Sequence, residues 1–206
     1  MGAANVVYVI RHGETADNAR RVLQMPDVPL SERGLEQAQR LAKRLANAGI
    51  ARILVSDYER ARMTARALAE TTGAPLIEDP LLRERHFGDL RGRAYASLGF
   101  DPFAPGYTPP KGESIPVFQA RVMLAFESIR EHAAEAGGAL AVVTHGLVCR
   151  DLVAKHLTLP PELASASPDP YRWTNTCVTE VDRATWTVRL LACTSHLDDV
   201  VDGAPA

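Results

Sequence analysis

The feature that most constrains this chain is an apolar run, Val6 to Ile10, that ends at once in Arg11, His12 and Gly13. Four of its five residues are β-branched, and none is charged. Such a run is typical of a strand that is buried on both faces, as in a parallel sheet. The polar residues at its end lie where open α/β sheets bind ligands, outside the carboxyl end of a strand. The sequence therefore predicts a site at this strand end.

The three residues of this strand end suit phosphate chemistry. Arg11 offers a planar fork of donors that matches phosphate. His12 can act as a neutral nucleophile near pH 7. Gly13 lets the backbone approach a ligand closely. The triplet alone is a weak motif, because the same residues could end a strand and face water.

Further along the chain, short apolar runs alternate with amphipathic segments. Helices are predicted to begin at Ser31, at Ser56-Asp57 and at Ser114. The core face of the first helix is predicted to carry Leu35, Ala38, Leu41, Ala42 and Leu45. Further strands are predicted at 52–55, 75–77, 139–143, 176–181 and 186–191. This alternation favours an α/β fold with a mainly parallel sheet and helices on both faces.

Residues 80–112 lack a long periodic segment and are rich in glycine and proline. So long an irregular segment is usually functional, and we expect a lid-like insert within a single domain that spans 1–206. Its aromatic residues Phe100, Phe103 and Tyr107 are candidates for substrate selection. The alternative is a surface loop whose phenylalanines fill the core beneath it.

A second fully apolar strand ends like the first, in Thr144-His145-Gly146. If the two strands are parallel neighbours, both histidines project over the same edge of the sheet. Arg60 begins a helix after strand two, and Glu84 lies in the insert. Two histidines, two arginines and a carboxyl group would supply the nucleophile, cations and proton donor that phosphoryl transfer needs.

Six segments give the chain a resemblance to the histidine phosphatase superfamily, in its phosphoglycerate-mutase-like branch. In order, they read RHGETADN, PLSERGLEQA, SDYERARMTA, ERHFGDLRG, KGES and VVTHG. The resemblance implies a three-layer α/β/α sandwich and a phosphoric monoester hydrolase that uses no metal and no cofactor. The sequence departs from the family's usual pattern at Met25, where the family often has glycine, and at Leu90-Arg91-Gly92, where Trp-Glu-Gly is common. These departures leave the substrate open.

The resemblance also implies roles for individual residues. The implied catalytic residues are His12, Glu84, His145, Arg11 and Arg60. His12 would carry the phosphoryl group, Glu84 would protonate the leaving group, and a protonated His145 would stabilise charge beside the two arginines. The predicted substrate contacts are Gly13, Asn18, Gln24 and Gly146.

The function predicted from these residues is hydrolysis of a small phosphorylated metabolite through a phosphohistidine. One alternative is a cofactor-dependent phosphoglycerate mutase, which would need extra cations for a second anionic group. Between Ala94 and Gly112 the only cation is Lys111, which favours the phosphatase. A phosphatase acting on protein phosphohistidine or phosphotyrosine also fits. A non-catalytic phosphosite-binding module would be expected to lack His12 or Glu84.

Composition indicates which binding partners and which cellular compartment to expect. The 206 residues carry a net charge of −2, so nucleic acid is not expected as a partner. The longest apolar run near the N-terminus is too short for a signal sequence or a membrane span. Three widely spaced cysteines form no metal or disulfide pattern, which indicates reduced thiols in the cytoplasm. We therefore expect a small-molecule phosphomonoester as the partner, and a homodimer stays open.

Overall fold

One sheet organises the protein in the computed structural model, which describes residues 5–165 and 173–197. Its strands are β1 (Val6–Arg11), β2 (Ile50–Val55), β3 (Leu76–Glu78), β4 (Ala139–Thr144), β5 (Val178–Asp182) and β6 (Val188–Cys193). They lie in the order β3-β2-β4-β1-β5-β6. The first four strands of the chain are parallel, while β5 is antiparallel to β1 and β6 to β5. The expectation of a mainly parallel sheet is confirmed.

The helices cover both faces of this sheet. They are α1 (Ala16–Ala19), α2 (Glu32–Leu45), α3 (Glu59–Thr72), α4 (Ile115–Glu135), α5 (Gly146–Lys155) and α6 (Pro161–Ser165). The hydroxyls of Ser31 and Ser114 cap α2 and α4, as predicted, because each accepts a bond from a backbone N–H of the first turn. Gly73 ends α3 in the left-handed conformation that glycine adopts at low cost.

Alternate residues of each strand pack into two separate cores. Val7 and Val9 of β1 belong to a core shared with α4 and α5. Tyr8 and Ile10 belong to a second core, which is shared with α2 and α3. Successive side chains of a strand point to opposite faces, so a strand buried on both faces must be apolar throughout. The result is the expected three-layer α/β/α sandwich.

Two local predictions were wrong. Leu35 was expected on the core face of α2, but 42% of its surface is exposed. The first turn of α2 instead lies against the loop after β1, where Gly34 is so close to the backbone of Glu14 that a Cβ could not fit. In the second case, α3 begins at Glu59 and not at Ser56, because the Ser56 side chain is engaged with His145.

The segment 80–112 forms three short 3₁₀ turns, at Pro80–Leu82, Gly88–Leu90 and Tyr95–Ser97. A small apolar cluster of Leu23, Phe87, Leu90 and Leu98 lies beneath it, and Phe103 and Tyr107 pack against this cluster. Phe100 is largely exposed and contacts the Tyr107 ring, with ring centroids 4.9 Å apart. Among the helices of the two described ranges, none has the length and hydrophobicity needed to cross a membrane.

A buried arginine holds this segment together. Arg85 donates to the backbone carbonyl of Glu113 at 3.1 Å, of Tyr107 at 2.7 Å and of Pro102 at 3.4 Å. Its guanidinium also lies over the Phe87 ring, 5.3 Å from the centroid. One side chain thereby ties together carbonyls at three separate places along and just after the segment.

We therefore expect Arg85→Met to loosen the insert without unfolding the sheet. Three carbonyls lose a charged donor, so chymotrypsin should cleave within 94–112 about 10- to 100-fold faster. Arg93→Met is the matched control, because Arg93 is exposed and its side chain donates only a 3.4 Å bond to the Ser97 carbonyl. Equal cleavage rates in the two variants would contradict this role of Arg85.

Candidate active site

The pairing of β1 with β4 brings the two predicted histidines together. Arg11 is in register with Thr144, so His12 and His145 follow paired positions on parallel strands. The His12 N–H donates to the Thr144 carbonyl at 2.9 Å, and the imidazole centroids are 5.1 Å apart. Both side chains are buried. The two strand ends thus form one site.

The hydrogen bonding of His12 defines its tautomer. Its Nδ1 lies 2.7 Å from the Gly13 carbonyl, which can only accept, so Nδ1 carries the proton. Nε2 therefore holds the lone pair. Burial, followed by the charges of Arg60 and Arg11, keeps the pKa of His12 well below its ordinary value. His12 is thus a neutral imidazole that lines the cavity, as a nucleophile requires.

Arg11 and Arg60 bring buried positive charge to the same cavity. Arg11 donates to the Trp173 carbonyl and Arg60 to the Met25 carbonyl, yet the Nε of each has no partner. Neither forms a salt bridge within the described ranges, and burial lowers the pKa of Arg60 to about 10. Unpaired buried charges are costly. A phosphate dianion would supply the missing acceptors.

His145 is held by its own strand end and by the loop after β2. Its Nε2 lies 2.8 Å from the Ser56 hydroxyl, which also accepts from the Tyr58 N–H. With the hydroxyl proton directed to Nε2, the buried and unpartnered Nδ1 carries a proton that it can donate to an oxyanion. We expected a protonated His145. Burial and the Arg60 charge instead hold its pKa well below the ordinary value, so His145 is neutral here.

Glu84 reaches the cavity from the start of the insert. Its two oxygens accept from the N–H groups of Arg85 at 3.0 Å and Leu147 at 3.2 Å. Burial raises the pKa of Glu84, although these bonds and the nearby arginines offset part of the effect. A carboxyl with a raised pKa is suited to act as a general acid.

Two predicted amide contacts, Asn18 and Gln24, lie on the cavity wall. The Asn18 carbonyl oxygen accepts from the Thr15 N–H and from the Asn175 amide, each at 3.3 Å. The Gln24 oxygen accepts from the Thr15 hydroxyl at 2.8 Å. With both oxygens occupied, each NH₂ group is left to donate to a ligand.

The two glycines that were predicted to contact substrate differ in their position relative to the cavity. Gly146, the first residue of α5, lines the cavity. Gly13 does not contribute to the wall, and its N–H donates to the Thr64 hydroxyl at 3.0 Å. A Cβ on Gly13 would lie 2.7 Å from the Gly34 carbonyl oxygen. Close packing against α2 is therefore enough to explain a glycine at position 13.

Comparison with known proteins identifies the family. A sequence profile described as the histidine phosphatase superfamily (branch 1) matches residues 7–194. The chain belongs to the histidine phosphatase superfamily. "Probable phosphoglycerate mutase GpmB" of Yersinia pestis (strain Pestoides F) is 32% identical, and the alignment covers 93% of this chain and 94% of that protein.

Two solved structures share this fold and align with most of this chain. Bacillus stearothermophilus YhfR is 33% identical, with a TM-score of 0.77, 93% of this chain covered and 98% of that chain. A mycobacterial glucosyl-3-phosphoglycerate phosphatase is 29% identical, with a TM-score of 0.73, 90% of this chain covered and 97% of that chain. The fold expected for a phosphoglycerate-mutase-like histidine phosphatase is confirmed.

The cavity of this histidine phosphatase has a volume of about 230 Å³ and a mixed wall. Its apolar side is formed by Val22, Leu23, Phe87, Phe103, Leu147 and Trp173, together with the ring of Tyr95. Three further arginines also line it: Arg91, which is part of the Leu90-Arg91-Gly92 departure from the family pattern, and Arg85 and Arg150, for which the sequence predicted no role. Lys111 is not on the wall and pairs with Asp89 at 3.2 Å. Counting cations only between Ala94 and Gly112 therefore missed the positive charge of the wall.

Asn175 is a further residue that the sequence did not indicate. It is buried, and its amide donates to the His12 carbonyl at 3.0 Å as well as to Asn18. It lies 163 positions from His12 in the chain, in the loop before β5, where an asparagine has no distinctive signal. Across the described ranges, no cluster of three or more potential metal ligands is present.

We expect Asn175→Asp to lower kcat per folded molecule on p-nitrophenyl phosphate by about 10- to 100-fold, and to lower the stability of the fold because the new carboxylate is buried. The substitution keeps the size but replaces a donor with an oxygen that repels the His12 carbonyl and the Asn18 oxygen. Asn47→Asp, the same change at an exposed position of the molecule, is the control. A kcat that is unchanged in both variants would exclude a positioning role for Asn175.

Proposed function

We propose that this histidine phosphatase hydrolyses small phosphomonoesters through a phosphohistidine at His12. The observation that carries the proposal is a buried, neutral His12 whose Nε2 holds the lone pair, beside two buried arginines, Arg11 and Arg60, that form no salt bridge within the described ranges. Membership of the superfamily supports this, as does the likeness to a glucosyl-3-phosphoglycerate phosphatase.

In the first step, Nε2 of His12 attacks phosphorus in line, and the P–O bond to the leaving group breaks. Arg11, Arg60 and the Nδ1–H of neutral His145 stabilise the charge on the equatorial oxygens. The Asn18 and Gln24 amides and the Gly146 end of α5 complete the phosphate pocket. Glu84, whose pKa is raised by burial, gives its proton to the leaving oxygen.

In the second step, water attacks the phosphorus of phosphohistidine, and the P–N bond breaks. The carboxylate of Glu84 takes a proton from the water, which restores the acid for the next cycle. Inorganic phosphate leaves and His12 returns to its neutral form. Every group this scheme needs comes from the chain, so we propose a reaction without metal or cofactor.

The walls of the cavity favour a small-molecule substrate over a phosphoprotein. The insert contributes Phe87, Tyr95 and Phe103 to the wall and leaves a volume of about 230 Å³, which suits a small molecule. The two buried cysteines, Cys149 and Cys177, and the half-buried Cys193 are all free thiols. They support a reducing compartment, and we propose the cytoplasm.

A cofactor-dependent phosphoglycerate mutase is the second candidate. The arginines on the wall favour it, since a mutase must hold a second anionic group, and one relative bears the name of a mutase. Release of inorganic phosphate and isomerisation of 3-phosphoglycerate, measured in the same preparation, separate the two activities. Isomerisation faster than phosphate release would replace hydrolysis as the function.

We expect Glu84→Gln to slow hydrolysis of alkyl phosphates by about 10²- to 10⁴-fold, and that of p-nitrophenyl phosphate far less. An alkoxide needs a proton to leave, whereas p-nitrophenolate does not. The measurement is kcat/KM on both substrates. Glu70→Gln, at an exposed position of α3, is the matched control.

Equal losses on the two substrates would show that Glu84 acts in binding or folding and not as the acid.

A further inference from the structure

Three side chains of the cavity region, Tyr58, His86 and Arg91, have no part in the proposed reaction. Arg91 lines the cavity and is half-buried. Its guanidinium donates to the Tyr58 hydroxyl at 2.6 Å, and a second nitrogen lies 3.1 Å from Nε2 of His86. We call these three residues the distal cluster.

The contact between Arg91 and His86 places two donors face to face. The Gly88 N–H donates to Nδ1 of His86 at 3.0 Å, so Nδ1 holds the lone pair. Burial and the Arg91 charge lower the pKa of His86, so its ring is neutral and its one proton is on Nε2. That N–H points at a guanidinium N–H, and neither can accept. An anionic oxygen that approached both nitrogens from one side could accept from each of them.

Tyr58 supplies a third donor to the distal cluster. Its oxygen accepts from Arg91, which leaves the hydroxyl hydrogen for a ligand. Its ring also lies near both cationic ends of the cavity, with Cζ of Arg60 5.1 Å and Cζ of Arg91 5.7 Å from the centroid. An anion held by Arg91 would therefore be a short span from a phosphoryl group held by Arg60.

The charged side chains of the cavity also indicate that an anion would bind at Arg91. The transferred phosphoryl group accounts for Arg11 and Arg60, and backbone carbonyls occupy Arg85. In the described part of the chain, no carboxylate pairs with Arg91, whose hydrogen bonds go to Tyr58 and His86 alone. The wall's other carboxylate besides Glu84 is Asp101, which accepts from the Phe103 N–H. Arg91 is thus a cation on the cavity wall that has no anionic partner among the described residues.

We propose that the distal cluster binds a second anionic group of the substrate, a carboxylate or a second phosphate. The proposal rests on the proposed function and narrows its substrate class to small phosphomonoesters that carry another negative charge. Such a group would accept from Arg91, from the His86 Nε2–H and from the Tyr58 hydroxyl. Charge-assisted bonds of this kind fix orientation as well as affinity.

The test uses matched pairs of probes. One series is straight-chain ω-phosphonooxy carboxylic acids of two to six carbons, each beside its methyl ester. The other series is alkanediol bisphosphates, each beside its monophosphate. Hydrolysis gives kcat/KM, and calorimetry with the corresponding phosphonates gives affinity without turnover.

We expect the anionic member to be preferred by about 10- to 100-fold at one chain length. The series that shows the preference identifies the anion as carboxylate or phosphate. Arg91→Gln should abolish the preference but leave kcat/KM for the methyl esters within about threefold. Arg62→Gln is the control and should keep the preference, because Arg62 lies on the exposed side of α3 and pairs with Glu78.

Two results would overturn the distal cluster as a subsite. One is equal kcat/KM and equal affinity for both members of every pair. The other is an equal loss on charged and uncharged probes in Arg91→Gln, which would mean that Arg91 only braces Tyr58. If no probe is hydrolysed, the proposed function fails instead. The calorimetric preference then decides alone whether the subsite exists.

Discussion

The parallel pairing of β1 with β4 is the constraint on which the site depends. It aligns Arg11 with Thr144, so that the next residue of each strand is a histidine at the same edge of the sheet. Parallel pairing needs both strands to be buried on both faces, which is why each is apolar along its length. Slipping the register by one residue would turn the side chains of a strand to the opposite faces. The cores formed with α2–α3 and with α4–α5 fix the register, and with it the distance between the imidazoles.

Burial sets the protonation states of the residues around this pair of histidines. Desolvation keeps His12 and His145 neutral and raises the pKa of Glu84. Arg11 and Arg60 are buried beside them, and in the described ranges neither forms a salt bridge. The shifts of His12 and Glu84 have the sign that phosphoryl transfer requires, because a neutral imidazole is the nucleophile and a raised carboxyl pKa favours the acid form. The stability lost by burying these groups is offset by the two apolar cores on either side of the sheet.

Much of this could be predicted from the sequence, because the decisive signals are local. The apolar runs and the polar residues that follow them indicated the two central strands and both histidines, and alternation with helices indicated the sheet. The rest depends on contacts between distant segments. Asn175 reaches His12 from the far end of the chain, and the place of Arg91 depends on how the insert folds. Gly13 packs closely against Gly34, a contact that the sequence does not show. The neutrality of His145 follows from its burial, which no motif indicates.

The most direct test of the proposed reaction is whether His12 carries the phosphoryl group. The protein is mixed with a phosphomonoester, quenched within milliseconds without acid, and analysed by intact mass and by mapping of the modified peptide. Nucleophilic attack by His12 requires an acid-labile phosphoryl adduct on this residue that is absent from a folded His12→Ala variant. An adduct that persists in His12→Ala, or that maps to another residue in the unmodified protein, would contradict it.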